Sequence, residues 1–241
     1  MPKVLISDKM SERAKEIFEA RGIDVDVKTG MSEDELIACI GDYDGLAVRS
    51  ATKATQKVLE AASNMKVIGR AGIGVDNIDV AGATARGIVV MNTPFGNAIT
   101  TAEHAIAMMM ALARQIPEAN ASTHASKWEK SRFMGVELTA KTLGVVGCGN
   151  IGSIVADRAL GLKMKVVAFD PFLSEERARE IGVEKVELDA LLNRADFISL
   201  HTPLTDQTRG IIDAAAIAKT KPGIRIINCA RGGLVVEADL K

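Results

Sequence analysis

The sequence predicts an α/β protein built from two doubly wound parallel sheets, and three observations carry that expectation. Short apolar runs alternate with helical patterns along the whole chain, and parallel strands need such helical crossovers. The run at 143–146 is followed by Gly147, Gly149 and Gly152, the G-x-G-x-x-G spacing that opens a helix after a strand. A second run, 165–169, ends at Asp170, close to the roughly 20-residue offset at which a carboxylate meets an adenosine ribose.

Taken in order, the first half reads as strands at 4–7, 23–27, 45–48, 66–69 and 88–91, with helices at 11–20, 32–40 and 55–62 between them. Ser11 and Ser32 stand where N-caps belong, Ser32 with Glu35 makes a capping box, and Gly22 and Gly41 stand at helix ends. Residues 100–116 read as one long helix stopped by Pro117. Met108, Met109 and Met110 on it read as core packing, and His104 as an ordinary packed or surface histidine. Residues 118–138 turn polar and irregular, a connecting arm holding His124 and the single tryptophan, Trp128, close to Lys130 and Arg132.

The second half reads as strands at 143–146, 165–169, near Val186, 197–201 and 225–229, with helices from Asn150 and at 174–181, 189–194 and 213–219. The final V-V-E-A-D-L-K reads as the start of a helix, so the chain is expected to be a fragment of a longer protein. Domains are expected at 1–97 and 98–241, both incomplete.

Composition narrows the function classes. A net charge of −1 gives no electrostatic footprint for nucleic acid. No apolar run is long enough for a membrane span and no signal peptide is visible, which leads to an expected cytoplasmic location. Cys39, Cys148 and Cys229 are odd in number and lack C-x-x-C spacing, so neither a disulfide framework nor a metal site is expected.

Chemistry is expected beyond the carboxyl ends of the strands, where doubly wound sheets bind ligands. Gly147 allows the sharp turn, Gly149 lets backbone approach a pyrophosphate, and Gly152 lets helix and strand pack closely. Asp170 favours NAD over its 2′-phosphorylated counterpart. The strand at 197–201 ends in His201, followed by Thr202 and Pro203, a turn read as lining the cofactor, with a proton-carrying role for His201 the lesser alternative. After 228 comes C-A-R-G-G, placing Arg231 between small residues, where a guanidinium could hold a carboxylate and polarise its neighbouring carbonyl; a surface ion pair is the other reading. In the first half, Arg49, Ser50 and Arg70 leave strand ends among small residues and suit an anionic substrate, unless Asp76 or Asp79 neutralises Arg70.

Together, Gly147–Gly152 with Asp170, H-T-P at 201–203, N-C-A-R-G-G at 228–233 and G-R-A-G-I-G-V-D-N-I-D at 69–79 resemble the NAD-dependent D-2-hydroxyacid dehydrogenases. The resemblance implies a flavodoxin-like substrate domain and a Rossmann-like NAD domain, the second inserted into the first, with 100–116 an interdomain helix and 118–138 a dimerisation arm. It implies NAD as cofactor, held by Gly147, Gly149, Asn150, Ile151, Gly152, Asp170, His201, Thr202, Pro203, Cys229, Ala230, Arg231 and Ile73, although Ile73 stands where the family often has threonine. Arg231 would be the catalytic arginine. Arg49, Ser50, Arg70, Gly72 and Arg132 would bind a small anionic 2-hydroxy acid, with 3-phosphoglycerate the leading substrate, another 2-hydroxy acid such as glyoxylate or hydroxypyruvate the second, and a non-enzymatic NAD sensor the third reading. A homodimer or homotetramer is implied. The family's acid/base histidine and the glutamate that supports it would follow Lys241, so these 241 residues alone are expected to turn over little.

Overall fold

The computed structural model describes residues 1–240, and Lys241, the last residue of the V-V-E-A-D-L-K segment, lies outside them. The chain divides into two compact units, Met1–Asn97 and Ala98–Lys241.

In the first unit the order is β1 (Lys3–Ile6), α1 (Glu12–Glu19), β2 (Asp24–Val27), α2 (Glu33–Ile40), β3 (Gly45–Val48), α3 (Gln56–Ala61), β4 (Val67–Arg70), α4 (Val80–Ala85) and β5 (Val89–Asn92). All pairings are parallel and the sheet order is β2-β1-β3-β4-β5, the flavodoxin-like order. Its direction reverses between β1 and β3. Leu5, Leu46, Val48 and Ile68 from the strands pack with Leu36, Ile40 and Leu59 from the helices in one buried cluster. The expected caps form: the Ser11 side chain accepts from the Arg13 amide, and Ser32 and Glu35 exchange the two bonds of a capping box. Gly41 caps α2 in a right-handed conformation, φ −60°, so its lack of a side chain is not what ends that helix. Helix α4 was not expected from its sequence, V-A-G-A-T-A, which holds a glycine and two β-branched residues. Asp79 supplies what propensity does not, accepting the Gly82 amide at 2.9 Å.

The second unit runs α5 (Ala98–Arg114), α6 (Ile116–His124), β6 (Thr142–Val146), α7 (Asn150–Gly161), β7 (Lys165–Phe169), α8 (Glu175–Ile181), β8 (Glu184–Lys185), α9 (Leu188–Arg194), β9 (Phe197–Leu200), α10 (Ala214–Ala218) and β10 (Arg225–Asn228). The parallel sheet order β10-β9-β6-β7-β8 is the Rossmann order, and its reversal falls between β6 and β9. Strand residues face two cores, which is why the runs are almost continuously apolar. Leu143, Val145 and Phe197 pack against α5 and α7, whereas Val146, Ile198 and Leu200 pack against α9 and α10. Helices α5 and α7 meet through small residues, Ala102, Ala105, Ala156 and Ala159.

Four expectations are corrected here. The long helix ends at Arg114, because Gln115 is left-handed at φ 53°, and Pro117 lies in the first turn of α6 instead of merely closing α5. There its missing N–H leaves no bond unmade. The start of the 118–138 arm is therefore helical, and only its later part is irregular, with a single 3₁₀ turn at Lys130–Arg132. Of the three methionines, Met109 is buried, while Met108 and Met110 are exposed. The V-V-E-A-D-L segment forms a 3₁₀ turn, Glu237–Leu240, after a bridge between Ile212 and Val235.

Candidate functional site

The loop after β6 is shaped by missing side chains. Gly147 sits at φ 86°, and a Cβ there would lie 2.8 Å from the Thr202 amide nitrogen and 2.9 Å from the His201 carbonyl carbon. The ends of β6 and β9 thus touch backbone to backbone at the reversal point. A Cβ on Gly152 would lie 2.0 Å from the Gly147 carbonyl oxygen, so the first turn of α7 can close on the loop only without one. Gly149 is different. Nothing of the chain lies within 4 Å of a Cβ there, and it caps α7 with no side-chain bond. The open side at Gly149 and the orphan first-turn amides of Asn150, Ile151 and Gly152 form a positive, backbone-lined anion seat.

Asp170 closes the seat from the neighbouring strand. Its carboxylate accepts the Cys148 amide at 2.8 Å on one oxygen and the Phe172 amide at 2.8 Å on the other. One side chain therefore ties β7 to the glycine loop and presents a carboxylate beside it. The residues fit a dinucleotide: open backbone for the pyrophosphate and an acid for a ribose hydroxyl pair. Burial and the Asp170 charge push the Cys148 thiol up to about 11, so it stays protonated at neutral pH and offers no nucleophile.

His201 is half-buried. Its Nε2 lies 2.8 Å from the Ser199 hydroxyl and its Nδ1 has no protein partner. Burial pushes its pKa down to about 4, so the ring is neutral near pH 7. Thr202 is half-buried and Pro203 exposed on the same edge. After β10, Asn228 pins the turn: its amide donates to the Arg231 carbonyl at 2.7 Å and its oxygen accepts the Ala230 amide at 3.1 Å. The N-C-A-R-G-G motif by itself gives Asn228 no role. Arg231 is half-buried and donates to the Ala230 carbonyl at 2.9 Å; Cys229 is half-buried too, and burial pushes its thiol up. Because all strands are parallel, the segments after 146, 169, 200 and 228 share the carboxyl edge of one sheet.

Arg132 is exposed, pairs with Glu129 at 3.1 Å and stacks over Phe133. It borders a groove of about 660 Å³ that also reaches Asn228 and Cys229. Trp128 is 85% exposed.

In the first unit, Arg49, Ser50, Arg70, Gly72 and Ile73 gather at the carboxyl edge of the other sheet. Arg70 is 7% exposed, donates to Asp76 at 3.0 Å and to the Ser50 hydroxyl at 3.4 Å, and keeps a buried Nε without a partner. Asp76 is thus the neutralising acid, while Asp79 is spent on capping α4. Arg49 and Ser50 are exposed, and the Ile73 carbonyl accepts the Asn92 amide at 2.6 Å. Asp8 and Asn77, neither singled out from sequence, hold the Arg49–Thr52 loop. An acid closing the V-L-I-S-D strand was the available signal for the first. Among the described residues no group of acidic, histidine or cysteine side chains could hold a metal, and no helix is long and apolar enough to cross a membrane.

Residues 106–241, more than half of the chain, match the model of the D-isomer specific 2-hydroxyacid dehydrogenase NAD binding domain. The chain belongs to that family. Its cofactor is NAD. D-3-phosphoglycerate dehydrogenase of Synechocystis is 55% identical over 240 residues, covering 100% of this chain and 43% of the relative. The protein of that name from Archaeoglobus fulgidus is 51% identical, covering 99% of this chain and 45% of its own length. The chain thus spans less than half the length of these curated relatives. Among solved structures, the TT0316 protein from Thermus thermophilus matches with a TM-score of 0.88 at 32% identity, covering 99% of this chain and 76% of the other. D-lactate dehydrogenase from Aquifex aeolicus, complexed with NAD and lactic acid, matches with a TM-score of 0.90 at 29% identity, covering 98% and 72%.

Proposed function

We propose that the chain is the amino-terminal substrate-binding segment and the nucleotide-binding part of an NAD-dependent dehydrogenase that oxidises 3-phosphoglycerate to 3-phosphohydroxypyruvate, the entry into L-serine biosynthesis. The observation that carries this reading is the end-to-end identity with proteins named D-3-phosphoglycerate dehydrogenase, 55% for one of them. Bound NAD supplies the hydride acceptor. The protein's residues supply the rest: the Gly149–Gly152 amides hold negative charge, and Asp170 orients the nucleotide through a ribose. Arg231 binds the substrate carboxylate and stabilises negative charge on the neighbouring oxygen, polarising the carbonyl in the reverse, reductive direction. Arg49 and Arg70, with the Ser50 and Gly72 backbone, hold the remaining anionic part.

The proton leaving the hydroxyl needs a positioned acceptor, a contribution worth about 100- to 10,000-fold. His201 is a poor one, because a pKa of about 4 makes its ring a weak base. The family resemblance assigns that role to a histidine and glutamate after Lys241, so the 241 residues by themselves should bind NAD weakly and produce little NADH. A homodimer or homotetramer in the cytoplasm, with the exposed Trp128 arm as the docking segment, completes the proposal.

Arg70→Ala tests the substrate. In the full-length protein it should raise KM for 3-phosphoglycerate at least ~10-fold more than KM for an unphosphorylated 2-hydroxy acid, the effect of removing a charge-assisted phosphate contact. Equal losses on both substrates would point instead to the glyoxylate or hydroxypyruvate reading.

A further inference from the structure

The Arg49–Thr52 loop leaves β3 at the reversal point of the first sheet, and it is gripped from two sides. Asp8, 5% exposed at the end of β1, accepts the Arg49 amide at 2.6 Å, the Ala51 amide at 3.2 Å, the Thr52 amide at 3.0 Å and the Thr52 hydroxyl at 2.7 Å. Burial alone would raise its pKa, yet the Thr52 hydroxyl and the three amides together hold the carboxyl below its ordinary value. From the other side the Asn77 amide donates to the Arg49 carbonyl at 2.9 Å and to the Thr52 carbonyl at 2.6 Å. One side chain takes the loop's donors and the other fills its acceptors. Among the described residues, the Ser50 amide is the one N–H of the four that meets no acceptor. The Ser50 hydroxyl is held in turn by Arg70.

A loop of four exposed or half-exposed residues would otherwise sample many conformations, and a ligand would have to select one of them. We infer that Asp8 and Asn77 are positioning residues of the substrate site, fixing the Arg49–Thr52 backbone so that the Arg49 guanidinium and the free Ser50 amide meet an anionic substrate without prior ordering. They act through the loop and do not touch substrate themselves. The inference rests on the proposed function, which makes this loop a substrate-binding segment.

The experiment is a double-mutant cycle in the full-length protein, with Asp8→Asn, Arg49→Ala and the pair, read as KM and kcat for 3-phosphoglycerate and KM for NAD. Asn at position 8 keeps the size but turns one acceptor into a donor facing the loop amides. Asp8→Asn should raise KM for 3-phosphoglycerate ~10-fold or more, leave KM for NAD within about 2-fold, and add much less once Arg49 is already Ala, when only the Ser50 amide still depends on the loop. Multiplying effects in the pair, or equal rises in both KM values, would mark Asp8 as a residue of general stability and overturn the inference. Should Asp8→Asn fail to fold, Asn77→Ser on the opposite side of the loop enters the same cycle with the same expectation and the same overturning results. The proposed function fails separately: if Arg49→Ala itself leaves KM for 3-phosphoglycerate unchanged, the loop is not a substrate segment and the inference falls with it, whereas a large Arg49→Ala effect with additive partners overturns the inference alone.

Discussion

The two sheets face the same problem at their reversal points, where two adjacent strands send their loops apart, and they solve it in opposite ways. In the second unit the opening is shaped by what is missing: Gly147 and Gly152 let backbone press on backbone, and Gly149 leaves a bare face. In the first unit it is shaped by side chains, with Asp8 and Asn77 gripping the Arg49–Thr52 loop. A backbone cradle suits a ligand part that is the same in every turnover, such as a pyrophosphate. A loop held by side chains can be retuned for different anions without rebuilding the sheet, which fits a family whose matched members are named for phosphoglycerate and for lactate.

The contrast can be broken most directly at Gly152. Gly152→Ala puts a Cβ against the rigid Gly147 carbonyl, so urea unfolding should show a loss of about 2–3 kcal/mol and NAD binding by calorimetry should disappear. Wild-type stability in that variant would mean the cradle is not sterically closed.

Acid should separate the two reversal points. The folded pKa of His201, about 4, lies below its ordinary 6.5, so the unfolded chain takes up a proton that the folded one refuses. Its contribution is therefore complete above pH 6.5 and is lost as pH falls toward 4, by about 3 kcal/mol. Asp8 has the other sign of origin: its depressed pKa adds stability above its ordinary 3.8 that is lost only at lower pH. Urea midpoints between pH 7 and 4.5 should fall more steeply in the wild type than in His201→Gln; parallel curves would remove His201 from the account.

Gly149→Ala is the finest test. The position is open, but φ −77° with ψ −148° lies outside the main β and α regions, so stability should fall by about 1 kcal/mol, less than in Gly152→Ala. NAD affinity should nevertheless drop ~10-fold, because the methyl group stands where the pyrophosphate must approach. A variant that binds NAD normally would detach the glycine loop from the nucleotide.

Much of this architecture could be read from residue order. The apolar runs, capping residues and glycine spacing are local signals, and strands such as Gly45–Val48 and Lys165–Phe169 lie where alternation places them. Helix α4 escaped because its propensity is weak and its cap carries it, and the break at Gln115 escaped because a left-handed glutamine has no compositional mark.

The sequence alone determined the fold class, the place of the glycine turn between strand and helix and the carboxylate at the end of the next strand, since each depends on residues close together in the chain. The tertiary structure decided which acid neutralises Arg70, that Asp170 also anchors the Cys148 amide, and that Asp8 reaches across 44 positions to hold Thr52. Hydrogen bonds of that range depend on strand order, and strand order is settled by which faces bury together, a property of the assembled sheet that no short window of residues carries.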